Sequence, residues 1–284
     1  MPRAERAAPY GNYKGYYAKR GNHSSDPRLK ALPAGIFDDK RVLDIGCNEG
    51  WVTCEIARNY NARNVVGVDV DTELISRAWR HRREVWSLQK PAEIVGNFTS
   101  SIMHGDRPTE QDLDSLHGSS DSYFPDCFPF LFGPIPISAQ NSSFPNNVSF
   151  YASNWANQGC PADQQGYDVV VAFSVTKWIH LHGGDEGIKL FFSRVRDVLL
   201  AHTNKISPGI FVLEAQPWSG YHSAMRKINL CQPKDQRSQD RVKINPDEFS
   251  NILIELGFSK PQRVGIIGEG GFKRPIDIYE LCGA

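Results

Sequence analysis

The stretch "VLDIGCNEG", Val42–Gly50, decides how the rest of the chain is read. An apolar run that reads as a strand ends in an acid, Asp44, then Gly46, a tight turn, and Gly50 opening a helix. Glycine allows positive φ and a close approach of backbone to a ligand. A second strand, "NVVGVDV" (Asn64–Val70), carries another acid, Asp69, near its end. In an open α/β sheet ligands bind at the carboxyl ends of strands, and a carboxylate there can accept both hydroxyls of a ribose. The plainer alternative makes Gly46 and Gly50 turn residues and Asp69 a helix cap. The dinucleotide fingerprint is excluded, because glycines would be needed at 46, 48 and 51, and the chain has Asn48 and Trp51. There is no phosphate-loop lysine.

Outward from this turn the chain alternates. The first 40 residues are aromatic and basic, with turn-forming Gly, Asn and Pro. Arg41–Gly46 is a strand, Trp51–Tyr60 a helix, and Asp71–Thr72 cap a second helix running to about Gln89. That helix sets Leu74, Ile75, Ala78, Trp79, Val85 and Trp86 on one face, with Arg77, Arg80, Arg82 and Arg83 on a solvated one. Residues 91–147 break the rhythm, polar and then rich in Pro and Phe, and read as an insertion. Strands at 148–153, 168–174 and 209–215 follow, with a helix at about Asp185–Leu200 and another over "NPDEFSNILIELGF". "RVGIIG" and "IDIYELC" flank a Gly-rich turn, as in a hairpin. The expected fold is α/β, a mostly parallel sheet covered on both faces and closed by an antiparallel C-terminal hairpin. The expected organisation is an N-terminal segment, 1–40, closing over a domain at 41–284.

Bulk composition narrows the partners. Lys+Arg and Asp+Glu are balanced at 32 each, so any nucleic-acid surface has to be a local patch. The six cysteines form no C-x-x-C pair and no zinc spacing, so no metal is expected. No membrane-length apolar run and no signal-peptide core are visible, and an intracellular protein is expected rather than a secreted one.

"D-x-G-x-x-x-G" with a strand-end acid resembles the S-adenosyl-L-methionine (SAM) site of Rossmann-like, seven-stranded class I methyltransferases. There the turn holds the amino-acid end and Asp69 the ribose, and "ASNWAN" offers Asn154 and Trp155 to the adenine. In that fold the end of the fourth strand, "VTKWIHL", faces the methyl group. The Asn/Asp-Pro-Pro-Tyr/Phe motif that holds a planar amine is absent, and Lys177 suits an anionic oxygen. Lys177 as a surface ion-pair partner and Trp178 as a packing residue is the competing reading.

Six segments then resemble, in order, the methylphosphate capping enzymes of the bicoid-interacting, Bin-three family. They are "YGNYKGYYAKR" (10–20), "VLDIGCNEG" (42–50), "FPNNVSF" (144–150), "TKWIHL" with "GDEG" (176–187), "EAQPW" (214–218) and "GFKRPI" (271–276). The resemblance implies SAM-dependent O-methylation of the terminal phosphate at an RNA 5′ end, with S-adenosyl-L-homocysteine as product. "TKWIHL" and "GDEG" look like the branch that caps the γ-phosphate of 7SK and U6 small nuclear RNAs. A second branch acts on 5′-monophosphate RNA. His182–Gly183, usually Asn-Trp, and Ala215, usually Pro, depart from the family pattern.

By resemblance, Tyr10, Arg20, Asp44, Gly46, Cys47, Asn48, Gly50, Asp69, Val70, Asn154, Trp155 and Phe173 bind the cofactor. Lys177 and Tyr13 are the catalytic candidates, Lys177 as the clamp on the phosphate and Tyr13 lying toward it. Tyr13, Lys177, Trp178, Gln216, Trp218 and Arg274 bind substrate, with Trp218 stacking a 5′ nucleobase. His180 reads as a structural histidine. The implied partners are a small non-coding RNA with a 5′-triphosphate and a La-related protein, in the nucleus. The competing classes are a non-catalytic ribonucleoprotein subunit and a small-molecule methyltransferase.

Overall fold

The computed structural model describes residues 10–11, 16–17, 25–88, 131, 133, 143–201, 207–231 and 241–281. Tyr13, Arg20 and most of the expected insertion lie outside the described residues.

Seven strands make one sheet: β1 (Arg41–Ile45), β2 (Asn64–Asp69), β3 (Val148–Ala152), β4 (Val169–Phe173), β5 (Ile210–Glu214), β6 (Gln262–Ile267) and β7 (Arg274–Glu280). Their order is β3-β2-β1-β4-β5-β7-β6. The first five run parallel, and β7 pairs antiparallel with both β5 and β6. Leu43 sits opposite Val66 on one side and Val170 on the other. The chain therefore leaves β1 in one direction and resumes at β4 in the other. Such a reversal opens a crevice at the strand ends.

β4 is buried along its whole length, as a strand covered on both faces must be. Its alternate residues supply two cores. Val169 and Val171 join Val42, Val52, Ile56 and Val65 on one face, while Val170 joins Leu43, Val66, Phe191 and Phe211 on the other. The period of two in a strand makes this division.

The helices are α1 (Pro27–Ala31), α2 (Trp51–Asn59), α3 (Thr72–Ser87), α4 (Trp155–Gln158), α5 (Thr176–Leu200), α6 (Ser219–Cys231) and α7 (Phe249–Glu255). Asp71 caps α3 through the N–H groups of Glu73 and Leu74, as its sequence position implies. Three expectations are corrected. The helix before β5 begins at Thr176 rather than Asp185, and Gly184 (φ 69°, ψ −169°) interrupts it. The C-terminal helix is a 3₁₀ turn, Pro246–Glu248, followed by the shorter α7. Arg82 does not join the solvated face: its Nη1 donates to the Pro145 and Val148 carbonyls at 3.2 and 2.9 Å, and its guanidinium lies 4.3 Å from the Trp79 ring. Phe144, within the stretch read as an insertion, packs in the core, in keeping with an aromatic segment that docks. Among the described residues, no helix is long and apolar enough to cross a membrane.

Candidate active site

A cavity of about 500 Å³ opens at the carboxyl ends of the strands, where the strand order reverses. One end of it is held by main chain. Gly46 (φ 76°) and Asn48 (φ 55°) take left-handed conformations. This turns the Gly46 and Cys47 N–H groups onto the Val68 carbonyl, at 2.8 and 3.0 Å. The next N–H, of Asn48, donates to Asp69 Oδ2 at 3.0 Å, and the Asp71 N–H donates to Oδ1 at 3.0 Å. Asp69 is thus fixed from both sides. Burial raises its pKa, with these N–H bonds pulling the other way. Asp44 is buried and accepts from the Thr53 hydroxyl at 2.6 Å. Burial lifts its pKa to about 6, against the Thr53 bond and the charge of Arg28. Val70, Asn154 and Trp155 also line this end. Trp155 is secured by its indole N–H donating to Asp163 at 2.9 Å, a carboxylate that also takes the Tyr167 hydroxyl at 2.9 Å.

The other end is held by buried side chains. Val175 occupies the N-cap of α5 and offers no side-chain cap. The cap comes from beyond β5. Gln216 Oε1 accepts from the Lys177 N–H at 3.1 Å and from the Thr176 hydroxyl at 3.4 Å, and its Nε2 donates to the Ser174 carbonyl. Lys177 and Trp178 thereby line the cavity, with Lys177 Nζ 4.9 Å from the Trp178 ring centroid. Arg274, opening β7, donates from Nη1 to Ser174 Oγ at 2.5 Å and from Nη2 to the Gly271 carbonyl at 3.0 Å. Beneath them Arg28, 1% exposed, pairs with Asp26 at 2.6 Å and Glu214 at 3.1 Å, and covers the Phe173 ring at 4.5 Å. Burial opposes the Arg28 charge, and the two carboxylates outweigh it, holding its pKa above the usual value.

Aromatic residues of the N-terminal segment also reach this cavity. Tyr10, Tyr16 and Tyr17 line it. Gly11 lies so close to Trp178 that a Cβ there would come within 3.1 Å of the indole. Tyr16 meets Phe272 edge-on at 5.5 Å, and Tyr17 lies 5.8 Å from Trp51. His182 lines the same wall. Its Nε2 is buried without a hydrogen-bond partner, and burial lowers its pKa while the Tyr10 backbone raises it.

Of the residues singled out from the sequence, Tyr10, Asp44, Gly46, Asn48, Asp69, Val70, Asn154, Trp155, Phe173, Lys177, Trp178, Gln216 and Arg274 line this one cavity. Cys47 is buried in the core, and Gly50 starts α2 with Phe150 where a Cβ would go. Trp218 stands apart, packed on Tyr221 with ring centroids 4.9 Å apart and lining a separate hollow with His222 and Met225. His180 is fully buried, bonded to Asp185 at 2.8 Å and near the Tyr221 hydroxyl at 3.3 Å. Sequence reading missed Arg28, Ser174 and Glu214. Glu214 carried the signal that revealed Asp44 and Asp69, an acid ending an apolar strand.

The donor set fits SAM. Carboxylates Asp44 and Asp69 line the cavity with Gly46, Asn48, Asn154 and Trp155, acceptors of the kind that an ammonium and a ribose diol require. Asp44 of β1 and Asn48 of the turn are an acid and an amide, chemistry that suits a sulfonium cofactor better than a diphosphate.

Comparison with known proteins agrees. Residues 16–183 match a methyltransferase domain family, and residues 167–281 match the Bicoid-interacting protein 3 (Bin3) family. A probable RNA methyltransferase of Arabidopsis thaliana is 33% identical over 88% of this chain and 72% of its own length. The 7SK snRNA methylphosphate capping enzyme of Mus musculus is 34% identical over 95% of this chain, which spans 40% of that protein. The U6 snRNA methylphosphate capping enzyme of Drosophila melanogaster is 29% identical over 95% of this chain and 74% of its own length. These matches show that the chain belongs to the Bin3 family of methyltransferases.

Proposed function

We propose that this chain transfers a methyl group from SAM to a terminal phosphate oxygen at the 5′ end of an RNA. The observation that carries the reading is the division of one cavity, with carboxylates Asp44 and Asp69 at one end and cations Lys177 and Arg274 at the other. When bound, SAM supplies an electrophilic methyl group on a sulfonium. A terminal phosphate is already anionic near pH 7, its second pKa being about 6, so no general base is required. The work left to the protein is alignment. Lys177 holds the phosphate, and the Gln216 cap on its backbone N–H fixes where α5 presents it. The aromatic wall of Tyr16, Phe272 and Trp178 limits water around the reacting oxygen. Tyr13 and Arg20 keep the roles that the family resemblance gives them. The small nuclear RNA substrates named for the mouse and fly relatives point to an RNA bearing a 5′-triphosphate. A nuclear setting and a La-related partner belong to the same reading.

The test is transfer of label from SAM to one short RNA made with a 5′-triphosphate, a monophosphate or a hydroxyl, then digestion to the terminal nucleotide. Label on the γ-phosphate is expected. Lys177→Ala should lower kcat/KM about 100-fold, with SAM affinity changed less than twofold. Label confined to monophosphate RNA would move the activity to the other branch. Tight RNA binding with no label on any RNA would overturn the enzymatic reading.

A further inference from the structure

Ser174 is strained for a reason. It ends β4 in a left-handed conformation, φ 59°. Among the described residues the other non-glycines with positive φ are Asp39, Asn48 and Asn61, types whose short polar side chains tolerate that region. Serine gains less of that relief, and glycine would take the same φ freely. A side chain kept in a costly conformation beside a site points to a task for that side chain.

The task can be read from the hydroxyl. Ser174 Oγ lies 2.5 Å from Glu214 Oε2, a fully buried carboxylate that only accepts. The single hydroxyl proton therefore goes to Glu214. The oxygen's lone pairs then receive Arg274 Nη1, also at 2.5 Å. The Ser174 N–H donates to the Glu214 carbonyl at 3.1 Å, and the Ser174 carbonyl accepts from the Gln216 side chain that caps Lys177. One residue thus joins the ends of β4, β5 and β7, and ties together the two cations of the acceptor end.

We infer that Ser174 is a positioning residue that fixes Arg274 relative to Lys177, so that the pair grips two successive phosphates of an RNA 5′ oligophosphate. The inference rests on the acceptor reading given above. It makes Ser174 a determinant of specificity: an oligophosphate engages both cations, and a monophosphate engages one.

Two variants isolate the hydroxyl. Ser174→Gly removes it and relieves the backbone, while Ser174→Ala removes it and keeps the strain. The two differ in stability and share the loss of both hydroxyl hydrogen bonds, to Glu214 and from Arg274. Both should raise KM for 5′-triphosphate RNA about tenfold, with KM for 5′-monophosphate RNA and Kd for SAM changed less than twofold. The ratio of triphosphate to monophosphate kcat/KM therefore falls about tenfold in both. An unchanged ratio, or SAM affinity falling in parallel, overturns the proposal. Binding of inorganic tripolyphosphate, followed by calorimetry, decides the matter even if the wild type methylates no RNA. Affinity about tenfold weaker in both variants supports the positioning role, and equal affinity in wild type and variants ends it. Failure of methylation in the wild type counts against the enzymatic reading alone.

Discussion

The two ends of the cavity are oppositely charged, and they are also built by different means. At the cofactor end the backbone does the holding: left-handed Gly46 and Asn48 turn successive N–H groups onto Val68 and Asp69. At the acceptor end side chains do it: Gln216 caps α5, Ser174 takes Arg274, and Glu214 takes Ser174 and Arg28. A backbone turn requires a few residue types at adjacent positions. A side-chain network requires single residues far apart, here at 28, 174, 214, 216 and 274. The first leaves a motif in the sequence, and the second leaves scattered polar letters.

Removing the deepest member of the network breaks the contrast most sharply. Arg28→Met leaves Asp26 and Glu214 without their cation, and loss of one partner from a buried ion pair costs about 3–5 kcal/mol. Urea unfolding should show that loss. A cost under 1 kcal/mol would mean that the acceptor end does not depend on this network. Gly46→Ala attacks the opposite end. The new methyl group would lie 2.7 Å from Val175 in a left-handed residue, so a loss of roughly 2 kcal/mol or more is expected, with weakened SAM binding. Wild-type stability and affinity in that variant would show that the turn has slack.

Asp44 sharpens the comparison through pH. Its carboxyl is raised from 3.8 to about 6, so the folded chain keeps this proton where the unfolded chain has lost it. The contribution of this group to the stability of the ligand-free protein is therefore full below the unfolded value and is lost as pH rises through about 6. A cationic cofactor requires the ionised form, so SAM affinity should move the other way, weakening up to tenfold per unit as pH falls below about 6. Asp44→Asn should flatten both slopes. Calorimetric Kd values across this range, and thermal unfolding without SAM, check the two signs.

The same contrast explains what could be read from the sequence. Buried β-branched runs marked the strands, and "VLDIGCNEG" with Asp69 marked the turn, because all of that information is local. The start of α5 was missed because its cap is Gln216, 39 positions from the Lys177 N–H that it receives. Nothing near Val175 announces a helix. Arg28 reads as one more basic residue of the N-terminal segment until Glu214, 186 positions away, is seen beside it. Trp218 follows a strand end and reads equally as a site residue or as core packing. Its spacing of three from Tyr221, on the first turn of α6, is the clue that the two rings pack on each other.

The break in α5 has a consequence for how such a chain can change. Lys177, Trp178, Ile179, His182 and Gly183 line the cavity before the break, while Ile188, Phe191, Phe192 and Val195 beyond Gly184 are sealed in the core. The Asp185 N–H turns away from the helix to the Arg241 carbonyl, which cuts the helical ladder, and the Asp185 carboxylate reaches back across the break to His180 at 2.8 Å. Substitutions in the first half can alter what the protein accepts without passing strain along the rod into the second. His182 and Gly183, where this chain departs from the family pattern, stand at that joint. An uninterrupted helix would couple innovation to foldability, and the interrupted one leaves room for drift.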